Sequence, residues 1–302
     1  MTQDSNLTTR PGGQNPYQGL NAQLVPLPKI ISSHYQPSLY ADSTHQLCHL
    51  QTEQGNKVLK RLNPNAHQQA FWRNVQALFG LDLNKHLNHQ AWCSTQLAGL
   101  TDLAIPQIEW AVNPGESLQG FVLAAKLNGE TGQASWMNQA NIDIFARHLK
   151  GLHQISYANW GVWQQPQNPL TDWPHKLTQS LKSWMNPTDH QAWWSGIKQA
   201  EAIRIHSAVP TMLDLRWDQF LFEQQQLSAL VDLDAFVLAP VELSWVILEY
   251  LLDEHQAWWF AQTYGERPDL TPVREAYRLW LFSTNLLGES DLTRWMTAPT
   301  RF

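Results

Sequence analysis

The sequence predicts an α+β chain of two lobes, a small β-rich N-terminal lobe and a larger, mostly helical C-terminal lobe. Three observations carry that expectation. Apolar residues alternate with a strand-like period up to about residue 127, and from residue 141 their spacing becomes helical. Two short apolar runs, TMLDLRWDQFLF (211–222) and LVDLDAF (230–236), then interrupt the helical half and carry acids at their ends. With 302 residues the chain can bury a full core as one large domain or as two lobes.

Residues 1–28 are rich in Gln, Asn, Gly, Pro and Thr with little periodicity, and read as a flexible lead-in. The N-terminal lobe is expected over 29–125 and the C-terminal lobe over 126–302, joined near Ala124 to Asn128. HQLCHLQ (45–51) and KVLKRL (57–62), separated by TEQGN, read as a hairpin. NPNAHQQAFWRNVQALFG follows as a helix, capped by Asn65 and closed by Gly80, with Ala70, Phe71, Val75, Leu78 and Phe79 at helical spacing. IPQIEWAV and GFVLAAKL form a second hairpin, so the first 127 residues read as strands around one helix.

NIDIFARHLKGLHQIS places Ile142, Phe145, Leu149 and Leu152 on one stripe, an amphipathic helix. Trp-rich helices are expected through residue 205, and further helices from Pro240 to Met296. HQAW recurs at 89, 190 and 255 with uneven spacing, which reads as a helix-start composition rather than a repeat.

Composition narrows the function classes. The 20 basic residues are scattered and the net charge is −6, so a nucleic-acid partner is not expected. Most of the 16 Trp read as core, the remaining option being a stacking surface. Cys48 and Cys93 form no CxxC motif, and the 12 His show no metal-ligand spacing. There is no secretory h-region, and the most apolar helical stretch, LSWVILEYLL, has ten residues including Glu249, too short for a membrane span. A soluble, cytoplasmic protein is expected. Nothing in the sequence speaks to oligomeric state.

The chemistry concentrates in the two interrupting runs. Phosphoryl transfer needs a carboxylate to orient the acceptor, a cation near the transferred phosphate, and hard oxygen ligands for a metal. Asp214, Arg216, Gln219 and Asp232 can fill those roles in order: a carboxylate, a base two later, an amide five later, and a second acid after the next strand. Each residue also has a plain reading. Asp214 and Asp232 can be turn or cap residues, Asp218 a solvated acid or a partner of Arg216, and Asp234 a second acid beside the metal or an outward strand position. Lys60 can be a solvent-facing lysine.

MLDLRWDQ, FLF, EQQQ and LVDLDAF together resemble the HGDxxxxN loop, strand, turn and IDxxx segment of the aminoglycoside phosphotransferase, choline kinase and fructosamine kinase group. Upstream, KVLKRL resembles the strand carrying a phosphate-binding lysine, FVLAAKLNG the strand and hinge that meet adenine, and ARHLKGLHQI the helix before the catalytic loop. AYRLWLFSTNLLG is similar to a late helix of fructosamine kinases. The resemblance covers residues 30–290 and implies a protein-kinase-like fold using ATP and Mg2+ to phosphorylate a small-molecule hydroxyl or amine. It implies that Lys60 contacts the nucleotide phosphates, Gln219 and Asp232 hold metal, Asp214 orients the acceptor and Arg216 stabilises the transferred group.

Several positions depart from that pattern. Met212 and Leu213 stand for His and Gly, and Gln219 for Asn. Asn74 stands where a Glu pairs the lysine, leaving Lys60 without its anion. The turn SSHYQPSLYADSTHQ has no Gly, and APVELSW lacks a downstream Asp. These departures keep open a pseudokinase that binds nucleotide or another ligand without efficient transfer. A Trp-rich ligand-binding or scaffold protein is the third alternative, and SYANWGVWQQPQNPLTDW can serve it as a lid, a packing collar or a stacking wall.

Overall fold

The computed structural model describes residues 15–23, 25–38, 40, 43–185 and 190–302. Most of the expected lead-in, residues 1–14, therefore lies outside the described residues. The N-terminal lobe is built on β1 (Ile30–Tyr35), β2 (His45–Thr52), β3 (Gly55–Leu62), β4 (Ile108–Val112) and β5 (Phe121–Ala125). They form a five-stranded antiparallel sheet in the order β1-β2-β3-β5-β4. Both expected hairpins are present. The link between β2 and β3 is tight because Thr52 Oγ1 donates to Gly55 O (2.8 Å) and Gly55 adopts φ +96°, a conformation costly for any residue with a Cβ.

Strand alternation sorts this sheet into two faces. His45, Leu47 and His49 of β2 lie opposite Leu62, Lys60 and Val58 of β3, and Val58 and Lys60 lie opposite Ala124 and Val122 of β5. These residues share the face turned toward the C-terminal lobe. Cys48, Leu50, Leu59, Phe121 and Leu123 fill the other face and form a small core with Leu20. The described part of the lead-in is thus packed: Leu20 bridges to Gln119, and the Tyr17 hydroxyl donates to Pro28 O.

Two helices, not one, accompany these strands. The first, α1 (Ala70–Phe79), starts after Gln69, whereas Asn65 precedes a separate 3-10 turn, Ala66–Gln68, and makes no side-chain cap. Gly80 closes α1 with φ +78°. The second, α2 (Leu87–Leu97), packs on β4 and was hidden in the sequence because it buries His89, Gln90 and Ser94 where apolar residues would mark a stripe.

In the C-terminal lobe β6 (Glu130–Thr131) precedes α3 (Gln139–His153), the expected amphipathic helix. The stretch to residue 205 is only partly helical, because β7 (Asn159–Val162) and β8 (Asn168–Pro169) come before α4 (Trp173–Trp184) and α5 (His190–Ala202). The two interrupting runs belong to four strands: β9 (Val209–Met212), β10 (Phe220–Glu223), β11 (Gln226–Leu230) and β12 (Phe236–Ala239). They build sheets ordered β11-β10-β6 and β8-β7-β12-β9. The chain ends in α6 (Val241–Leu251), α7 (Glu254–Tyr264), α8 (Arg274–Thr284) and α9 (Leu292–Met296). Each HQAW copy falls at the start of a helix, α2, α5 or α7.

The lobes are joined by more than the connecting chain. Ala104, in the loop after α2, exchanges backbone hydrogen bonds with β11, to Ser228 O (2.9 Å) and from Leu230 N (3.1 Å). Phe79 at the end of α1 meets Trp160 and Trp280 edge to face, at centroid distances of 6.0 and 5.6 Å, so α1 is held against the helical lobe. Trp160, Trp163 and Trp173 are at most 1 % exposed, which makes their segment a packing collar. Trp194 and Trp258 are exposed, but most described Trp are core. A buried acid, Glu249, receives Arg278 Nη2 (2.7 Å) and Arg274 Nε (3.1 Å), and Arg278 also donates to the carbonyls of Met296, Ala298 and Pro299, fastening the chain end. Among the described residues no helix is long and apolar enough to cross a membrane.

Candidate active site

A cleft of about 520 Å³ lies between the lobes, and Lys60, Asp214, Arg216, Gln219 and Asp232 all line it. Its roof is the inward face of the N-terminal sheet. Leu47, Val58 and Ala124 form an apolar slot there, facing Leu221 and Val231 from below, next to the connecting residues Ala125 to Leu127. Lys60 stands opposite Leu47, one pair beyond Val58 on the same face.

The floor is made by two turns locked to each other. Met212 and Leu213, which stand where the related pattern has His and Gly, are 3 % and 0 % exposed. Apolar packing and the bond from Leu213 N to Ala235 O (3.0 Å) hold this turn, so it does not need the polar residue it lacks. Asp214 emerges next. Trp217 then anchors the 3-10 turn Trp217–Gln219 by packing edge-on against Phe145 at 5.0 Å. Val231 N donates to Gln219 O (3.0 Å), which sets Asp232 beside Gln219.

The polar side chains form one continuous chain across the cleft. Arg216 Nε lies 2.7 Å from Asp214 Oδ1 and Arg216 Nη2 donates to Asp214 Oδ2 (3.0 Å). Asp218 stands 3.7 Å from the same guanidinium, and the Tyr40 ring covers it at 5.2 Å. Oriented so that both ends are satisfied, the Gln219 amide accepts from Arg216 Nη2 (2.8 Å) and donates to Asp232 Oδ2 (2.9 Å). Lys60 Nζ completes the chain, donating to Asp232 Oδ1 (3.0 Å) and Val231 O (3.1 Å).

Lys60 is therefore not without an anion. Its partner is Asp232 rather than a residue of α1, because Asn74 is fully buried and donates to Ala70 O and Ser283 O (2.9 Å each), facing α8. Asp234 is not an outward strand position either, being 7 % exposed beneath His45, with 3.7 Å between its Oδ2 and His45 Nδ1.

Burial governs the protonation of this cluster. It pushes the Asp214 carboxyl up to about 6, against the pull of Arg216 and aided by Asp232 and Asp218. Burial also opposes ionisation of Asp232, but Lys60, by charge and hydrogen bond, brings it below the usual carboxylate range with help from Arg216. Asp234, buried next to ionised Asp232, is pushed well above that range. His45 is lowered to about 4 by burial and then by Lys60, so its ring is neutral at neutral pH.

The donor set suits Mg2+ in chemistry: one carboxylate, Asp232, and one amide, Gln219, beside a cleft with room for phosphates, which matches the few protein ligands this ion takes when it binds with a nucleotide. Turning the Gln219 amide over presents its oxygen. Among the described residues no group of three or more His, Cys, Asp or Glu is placed to hold a metal by itself. His148 and His153 are engaged separately, with Thr101 and Tyr264.

Sequence reasoning missed His45 and Tyr40. The alternation of HQLCHLQ was a signal for His45, because it puts residue 45 on the same face as Leu47 and His49. Tyr40 carried no pattern.

No family model matches the chain, and no curated protein matches it by sequence. Solved structures do match. A protein described as a fructosamine-3-kinase from Haemophilus somnus superposes with a TM-score of 0.59 at 13 % identity, covering 86 % of this chain and 84 % of that one. A macrolide 2'-phosphotransferase from Brachybacterium faecium gives 0.54 at 12 % identity, covering 89 % and 92 %. An aminoglycoside phosphotransferase solved with ADP and hygromycin B gives 0.58 at 12 % identity, covering 86 % and 88 %. With its antiparallel sheet lobe, helical lobe and intervening cleft, this chain has the two-lobed, protein-kinase-like fold that the small-molecule phosphotransferases share.

Proposed function

We propose that the chain is a phosphotransferase that uses ATP with Mg2+ to phosphorylate a hydroxyl or amine of a small molecule. One observation carries the reading: five side chains from both lobes, Lys60, Asp214, Arg216, Gln219 and Asp232, converge on one cleft beside an apolar slot. Lys60 would leave Asp232 to bind the nucleotide phosphates, and Asp232 and Gln219 would hold Mg2+, which neutralises charge on the phosphates when bound. Asp214, ionised above about pH 6, would accept a hydrogen bond from the acceptor and orient it. Arg216 would then face charge on the group in transit. The named ligands of the similar structures, ADP with hygromycin B among them, support a cleft for a nucleotide and an acceptor.

A second reading is a pseudokinase that binds nucleotide without efficient transfer. It is favoured by one arrangement: Lys60 and the Gln219 amide nitrogen both donate to Asp232, so the metal-side carboxylate is already engaged. Thermal-shift measurements with ATP and Mg2+ separate these readings from a Trp-based ligand binder. A ligand at about 100 times its Kd stabilises the folded state by about 2.7 kcal/mol. The expected result is a Mg2+-dependent rise in melting temperature that Asp232→Ala abolishes, with acceptor-dependent turnover that Asp214→Asn removes while binding survives. Binding without turnover for any acceptor favours the pseudokinase, and no shift with any nucleotide rules out both.

A further inference from the structure

We propose that His45 is a phosphate-contacting residue, whose ring Nε2 binds the phosphate chain of the nucleotide in this cleft. The inference rests on the nucleotide-dependent reading above and adds a residue to it.

Position is the first argument. The strand pairs step away from the connecting chain in order: His49 with Val58 and Ala124, then Leu47 with Lys60 and Val122, then His45 with Leu62. Val58 and Ala124 of the first row and Leu47 of the second roof the apolar slot, and the second row carries the lysine. His45 lies one step beyond, on the same inward face, where a phosphate chain running from the slot past Lys60 would continue.

The second argument is an unmet bond. His45 is 8 % exposed and is one of the residues that line the cleft, yet Nε2, itself enclosed, has no hydrogen-bond partner. Its Nδ1 edge faces Asp234, so Nε2 is the edge left for a ligand. A buried polar atom without a partner is destabilising, and a phosphate oxygen supplies what is missing.

Anchoring and the preceding turn supply the third. Thr44, just before β2, is held from two sides: Trp72 Nε1 donates to its Oγ1 (3.0 Å) and Asn63 N donates to its carbonyl (3.0 Å). The ring therefore hangs from a fixed backbone. The chain between β1 and β2, residues 36–44, has no glycine. Phosphates are commonly cradled by backbone amides of glycine-containing turns, where no Cβ blocks approach. Here a side-chain donor at the end of the turn does that work.

The test is calorimetric titration of the full chain, wild type and two variants, with ATP, ADP and adenosine in the presence of Mg2+. His45→Ala is expected to weaken ATP by about 10- to 100-fold, the worth of a hydrogen bond to a charged group, while leaving adenosine affinity unchanged. His45→Gln, whose amide nitrogen reaches near the Nε2 position, is expected to recover part of the loss. Unchanged ATP affinity in His45→Ala, or an equal loss for adenosine and ATP, overturns the proposal while leaving the nucleotide reading in place. A wild-type chain that binds none of the three overturns both.

Discussion

Lys60 Nζ sits 3.0 Å from Asp232 Oδ1, so an ion pair reaches from the N-terminal sheet to the floor of the cleft. Both side chains are mostly withdrawn from solvent, at 14 % and 24 % exposure, which lifts the pair above the small worth of a surface contact. In a double-mutant cycle with Lys60→Met and Asp232→Asn, urea unfolding of the nucleotide-free protein should give a coupling of about 1–3 kcal/mol. Saturating ATP and Mg2+ should change that coupling, because both partners would then face the ligand.

Asp214 should set the acid limb of any turnover. The activity limb is expected to rise with an apparent pKa near 6 and to disappear in Asp214→Asn. Stability moves the other way. Because the folded-state value lies above the unfolded one of 3.8, this group lowers stability as pH rises from about 4 to 6, and the full cost stands above that window. Its size is on the order of 2–3 kcal/mol. The melting temperature of Asp214→Asn relative to wild type should therefore increase from pH 4 to pH 7.

Breaking the buried network at Glu249 should unfasten the chain end. Glu249→Ala leaves Arg278 buried without its carboxylate, a loss of about 3–5 kcal/mol in urea unfolding. Limited proteolysis should then cut within 296–302 first, since Arg278 holds those carbonyls. Replacing Glu249 and Arg278 together by Leu and Met should recover part of the stability.

Gly132 allows the chain after β6 to pass close to the Trp217–Gln219 turn. A Cβ there would overlap Trp217 O and the Phe222 ring. Gly132→Ala should cost about 1–3 kcal/mol and, by shifting the Trp217–Gln219 turn, weaken Mg2+-dependent nucleotide binding more than adenosine binding. Calorimetry with both ligands reads the difference.

The parts of the fold written in period were legible. The hairpins at 45–62 and 105–127 and the helix on Ile142, Phe145, Leu149 and Leu152 declared themselves by alternation or by a 3.6-residue stripe. Helix α2 did not, because His89, Gln90 and Ser94 share its buried face with Leu87, Cys93 and Leu97 and break the apolar stripe. The order of Asp214, Arg216, Gln219 and Asp232 was enough to expect a shared site, and the structure brings them together with Lys60. What the order could not reveal was the partnering: that Lys60 meets Asp232, that Asn74 turns toward α8, and that Gln219 bridges Arg216 and Asp232. Such links join residues as far apart as 74 and 283, and they depend on how two lobes settle against each other.

The two-residue link Glu53–Gln54 keeps the roof of the cleft in phase. A one-residue slip of the pairing there reverses parity along β2: Gln46, Cys48 and Leu50 would turn inward, and His45, Leu47 and His49 would face away. A pair of added residues keeps parity but slides β2 by roughly 7 Å against Lys60. The short bend, remote from the cleft, thus helps decide which side chains the cleft receives.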